Sequence, residues 1–123
     1  MRNKIQSFNV TAQLALIQSK AQLSNAVSRQ ALAEASDTWA AHQAKYDYER
    51  DSSDLIAIKR NISLIISQVT NRVCRVNPIM WAELLKLNSV ITVAIIHNVN
   101  LEPRPVPVVA ANSADNLAEV ANA

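Results

Sequence analysis

Few residues in this chain have the types and spacing for chemistry. His42 and His97 are its only histidines, and neither stands in a metal-binding spacing such as H-E-x-x-H. Acids gather at Asp47, Glu49, Asp51 and Asp54, where paired carboxylates would have the ingredients for glycosidase-type acid–base work. Helix capping accounts for the same cluster, because acids favour the first turn of a helix. Cys74 is the single cysteine. It excludes an intrachain disulfide or a multi-cysteine metal site, and with Val73 and Val76 beside it reads as a small buried hydrophobe. Asn9-Val10-Thr11 and Asn61-Ile62-Ser63 match the glycosylation sequon, but both fall on expected helices.

The chain contains no glycine. That removes the phosphate-cradling loop, the dinucleotide fingerprint and the nucleophile elbow together. No catalytic residue, cofactor or metal is expected, and the chain reads as non-enzymatic. Lys59, Arg60, Arg72 and Arg75 form an acid-free basic stretch that offers contacts to phosphate. No reading motif accompanies it, and the net charge is only +2, so nucleic acid is a weakly supported partner.

The elements that would position these residues are helical. Ordinary usage would put about eight or nine glycines in a chain of 123 residues. Their absence argues against tight hairpins and all-β folds. From Phe8 to Arg50 there is also no proline, and an apolar series runs through Leu16, Leu23, Val27, Ala31, Ala35, Trp39, His42 and Tyr46. This predicts one long helix over 8–50, with a break at Ser36-Asp37-Thr38 as the alternative. A helix of forty residues would be about 60 Å long, against about 35 Å across a compact domain of this size. Leu16, Leu23, Val27, Trp39 and Tyr46 are therefore expected to pack on another chain.

A second helix is predicted over 53–75, with Leu55, Ile58, Ile62, Ile65 and Val69 as a heptad seam. That seam fits a neighbouring helix of the same chain as well as a coiled coil between chains. Asn77-Pro78 restarts the chain as N-cap and first helical residue, opening a third helix to about Asn98. Its β-branched half, Val90 to Ile96, also has the composition of a buried strand. The apolar run from Leu87 to Val99 is too short to span a membrane, for which about twenty residues are needed.

Prolines then alternate at Pro103, Pro105 and Pro107 with Val106 and Val108 between and beyond them. This predicts an extended arm. The expected domains are 1–100, helical, and 101–123, arm and tail.

The fold expected is all-α: an elongated helical hairpin or bundle with one long N-terminal helix, two shorter helices and an extended Pro-rich C-terminal arm. The function that follows is a structural subunit of a homo-oligomeric or multi-protein assembly, such as a virion or phage-particle component or part of a secretion apparatus. The alternatives are a membrane-associated assembly protein, using the basic N-terminal segment and 87–99, and a small helical adaptor or nucleic-acid-associated protein. No secretory signal pattern is present, and a virion or cytoplasmic location is expected.

Overall fold

The computed structural model describes residues 8–103. These contain four α-helices and no strand: α1 (Val10–Lys20), α2 (Ala26–Ala44), α3 (Ser52–Thr70) and α4 (Pro78–His97), with a short 3-10 turn at Asp47–Glu49 before α3. Each helix begins on a residue whose side chain takes up a free N–H of the first turn. Asn9 accepts from Ala12, Asn25 from Ser28, Asp51 from Ser53 and Asn77 from Ile79.

The single helix expected over 8–50 is two helices, and the break lies at 21–25. Ser36, Asp37 and Thr38 stay inside α2. Two facts explain the position. Gln22 takes a left-handed backbone, φ 55°, which stops α1. The segment is also tied to the α3–α4 connection: Asn77 N–H donates to Ala21 O at 2.8 Å, Ser24 N–H to Arg75 O at 3.1 Å, and Arg75 N–H to Ser24 Oγ at 2.7 Å. Asn25 Nδ2 adds a bond to Val73 O at 2.9 Å. Backbone groups freed by ending α1 are satisfied by a loop fifty residues away.

Breaking the helix changes which residues face inward. α1 buries Val10, Leu14 and Ile17, and α2 buries Ser28, Ala31, Leu32, Ala35, Trp39 and His42. Those spacings of three and four keep a straight helix on one neighbour. α2 makes its most extensive contacts with α3; α3 packs on α4, α4 on α1, and α1 on α2. The helices thus close a ring around one core. The elongated hairpin is replaced by a compact bundle, in which the first two helices fold back on each other.

Leu84, Leu87, Ile91 and Ala94 bury one side of α4, so the β-branched run stays helical because its inward residues recur at helical spacing. Asn98, left-handed at φ 53°, closes the helix. Leu101 is fully buried, so the core extends past residue 100. Pro103 is exposed, and Pro105, Val106, Pro107 and Val108 lie outside the described residues.

Candidate functional site

One end of the bundle holds a cluster of hydrogen-bonded polar side chains. The C-terminus of α2, the 3-10 turn, the N-terminus of α3 and the chain leaving α4 all meet there. At the centre is Arg50, whose side chain is only 4% exposed. Its Nε donates to His42 O at 3.1 Å, Nη2 to Gln43 O at 3.1 Å, and Nη1 to Asn100 Oδ1 and Glu102 O, both at 3.0 Å. Asp47 lies 3.5 Å from the same guanidinium. The planar fork suits this role. It satisfies the last carbonyls of α2 and pins the strap at 100–102 with one group.

Beside it, Glu102 caps α1. Its Oε2 accepts from Thr11 N–H at 3.0 Å, and Oε1 accepts from Gln43 Nε2 at 3.1 Å. The Thr11 hydroxyl lies 3.0 Å from both Gln43 Oε1 and Glu102 Oε1, and it accepts from Trp39 Nε1 at 2.9 Å. A carboxylate at a helix N-terminus is favourably placed.

The third group is His42, buried and stacked on Trp39 with ring centroids 5.5 Å apart. Its Nδ1 bonds Asp54 Oδ2 at 2.9 Å, and Lys45 Nζ donates to the same oxygen at 2.9 Å. Burial opposes the charge of Asp54, but the hydrogen bonds from Lys45 and His42 outweigh it and hold the carboxyl below its ordinary value. The hydrogen bond to Asp54, helped by its charge, raises the Lys45 ammonium. Asp51 is lowered by its bonds from the Ser53 hydroxyl and amide.

A cleft of about 190 Å³ opens between these groups, lined by His42, Asp47, Arg50, Ser52 and Asn98 among others. Small-molecule sites run from roughly 300 Å³ upward, so this one suits solvent or a small ion. A histidine oriented by a carboxylate has the form of a general base. Here the same carboxylate is shared with Lys45, and the guanidinium beside it is already bonded to main-chain carbonyls. The cluster reads as a lock that fastens the helix ends.

Among the described residues no group of three or more His, Cys, Asp or Glu has the arrangement to hold a metal. Cys74 is buried, with Sγ 3.4 Å from Arg75 O. Burial pushes its thiol up, while the polar groups of Ser28, Asn25 and Ser24 at the start of α2 outweigh that and bring it down. The Ser28 hydroxyl still lacks a partner with sound hydrogen-bond geometry among the described residues. Asn9 of the first sequon serves as the cap of α1.

The interface residues read from the sequence separate. Leu23 and Trp39 are buried in this chain's own core, Leu16 packs partly against it, and Val27 and Tyr46 are exposed. In the seam, Leu55, Ile58, Ile62 and Ile65 are buried among the neighbouring helices and Val69 packs on their edge. Lys59 is half-buried, while Arg60, Arg72 and Arg75 are exposed; the first two sit on α3 and the last two in the loop beyond it.

The surface left uncovered is apolar in places. Val27 and Leu64 line an open groove between α2 and α3. The outer side of α4 exposes more: Ile79 is 71% exposed, Ile96 69% and Leu85 42%. α4 is also the one described helix long and apolar enough to cross a membrane by length and composition, with 28% of that stretch buried inside the bundle. It reaches that length because it runs from Pro78 and includes Glu83 and Lys86. Sequence reasoning missed Arg50, Thr11, Gln43 and Glu102, since the partners that join them lie 28 to 91 residues apart and leave no local spacing.

The described chain is therefore an all-α, four-helix protein. Comparison with protein-family models, curated proteins and solved structures finds no match.

Proposed function

We propose that this protein is a non-enzymatic structural subunit of an oligomeric assembly, of the kind that builds a virion, a phage-like particle or a secretion apparatus. It works by helix–helix packing with copies of itself or with other assembly proteins. One observation carries the reading: α4 exposes three large apolar side chains, Ile79, Leu85 and Ile96, to solvent. A single apolar residue on a surface is ordinary, whereas several on one helix suit a contact site. The proline-alternating segment from Pro103 to Val108 supplies a further docking arm in this proposal, on the strength of its sequence alone.

Membrane association is a second reading, favoured by the length of α4. Against it, Glu83 and Lys86 lie within the same helix, and charges inside a bilayer are costly.

Light scattering over a range of protein concentrations tests the proposal. Mass rising with concentration is expected; a monomer at every concentration contradicts it. Sedimentation with anionic vesicles at low salt tests the second reading, which fails if the protein stays in solution.

A further inference from the structure

The connection between α3 and α4 holds the single cysteine of the chain against the start of α2. Bonds on either side of Cys74 fix it there. Asn25 Nδ2 donates to Val73 O at 2.9 Å, Ser24 N–H to Arg75 O at 3.1 Å, and Arg75 N–H to Ser24 Oγ at 2.7 Å. The sulfur therefore meets the first turn of α2, whose amides have no partner within the helix. The N–H groups of Ser24 and Asn25 face it, and so does the Ser28 hydroxyl.

Ser28 is fully buried, and its Oγ has no hydrogen-bond partner of sound geometry among the described residues. An orphaned hydroxyl in a protein interior is costly. The thiol accounts for it. Its own proton goes to Arg75 O at 3.4 Å, and a neutral sulfur is a weak acceptor. A thiolate has given up that proton and accepts from Ser28 instead. Ionisation thus satisfies a buried donor rather than stranding a charge. Burial opposes the charge, and the donors of Ser28, Asn25 and Ser24 outweigh it. No acidic residue lies in 21–29 or 71–77 to repel it. The charged residues of those segments are Arg72 and Arg75, both exposed, and Arg29, whose Nη1 turns to Leu23 O at 3.0 Å.

We propose that Cys74 is a peroxide-reactive modification site, with Ser28 as the donor that holds its charged form. The thiolate is the nucleophile. Its sulfur attacks one oxygen of hydrogen peroxide; an S–O bond forms as the O–O bond breaks, and the sulfur gives up two electrons. The hydroxide that leaves takes up the proton released by the thiol and departs as water. A sulfenic acid remains, and its oxygen is a better acceptor for the Ser28 hydroxyl than the thiol was. Peroxide is little larger than water, and Val73 and Arg75 on either side of the buried sulfur are exposed. The inference does not depend on the assembly reading.

With one cysteine in the chain, thiol chemistry reads Cys74 alone. Alkylation of the folded protein by iodoacetamide is followed by mass spectrometry from about pH 6 to 10, with and without urea below the unfolding transition. The rate is expected to reach half its maximum below about pH 8.5, the ordinary cysteine value, and to be unchanged by that urea. Ser28→Ala removes only an unpaired hydroxyl, and circular dichroism checks its fold. At pH 7 it should react more slowly by about three- to tenfold, the worth of one hydrogen bond. Hydrogen peroxide followed by dimedone should label the natural chain once and Cys74→Ser not at all. Alkylation that only tracks the unfolded fraction as urea rises overturns the inference. A Ser28→Ala profile identical to the natural one also overturns it, as does a natural chain that peroxide leaves without a dimedone adduct.

Discussion

Arg50 reaches 52 residues along the chain to donate from Nη1 to the carbonyl of Glu102 at 3.0 Å. In return, the Glu102 carboxylate takes the Thr11 amide at the start of α1. The end of the described chain is thereby fixed to its beginning and to the middle. The positive backbone angle of Glu102, φ 48°, belongs to the same arrangement.

Removing the guanidinium orphans several buried carbonyls at once. Arg50→Met is expected to lose about 3 kcal/mol of stability, since each unsatisfied buried group costs about 1–3 kcal/mol and part of the set regains water. Arg50→Lys recovers little, because an ammonium cannot span carbonyls on two sides. Urea unfolding of the three proteins checks both statements.

The Asp54 carboxyl is held below its unfolded value by Lys45 and His42. A lowered acid contributes stability above its unfolded pKa, about 3.9, and that contribution disappears as pH falls through the folded value. Asp54→Asn should therefore be less stable at neutral pH by about 1 kcal/mol, a figure reduced for the partial exposure of the group. The difference should shrink as pH falls below the ordinary carboxylate value and vanish once it is below the lowered folded value. Thermal unfolding of both proteins from neutral to acid pH reads it; a constant difference would remove the ion-pair explanation.

Left-handed backbone occurs at Gln22, Arg72, Asn98 and Glu102 among the described residues, in a chain with no glycine. Non-glycine residues there cost about 1–2 kcal/mol each. Gln22→Gly and Arg72→Gly, both exposed, should each stabilise the fold by about 0.5–1 kcal/mol after the added freedom of the unfolded chain is subtracted. A higher melting temperature for each variant is the expected reading.

Ile62 is fully buried in α3, whereas Ile56 on the same helix is exposed. Ile62→Ala should cost about 2–5 kcal/mol and Ile56→Ala under about 0.5 kcal/mol. Equal losses would place the core elsewhere.

How much of this was legible in the sequence follows from the range of each interaction. Asn77-Pro78 and Asp51 mark helix starts through bonds to residues two positions away, and the sequence shows them directly. Leu55 through Ile65 announce the buried side of α3 by spacing alone. The break at 21–25 was not legible, although Ser24-Asn25 offers the same capping chemistry as Ser36-Asp37. The choice between them is made by Arg75 and Asn77, whose backbone closes against Ser24 and Ala21. Missing glycine also misled, because Gln22 and Arg72 take the left-handed turns a glycine would ordinarily take. Of the polar lock, only the acids at 47–54 and His42 stood out. Their partners Thr11, Asn100 and Glu102 become neighbours only when the bundle closes.

We propose that the outer face of α4 joins copies of this chain. Sedimentation velocity over a concentration series, for the natural chain and for Ile79→Asp/Ile96→Asp, tests it most directly. The natural chain is predicted to shift from monomer towards dimer or larger species as concentration rises, while the variant, equally helical, stays monomeric. Identical sedimentation of the two proteins at every concentration would contradict the account.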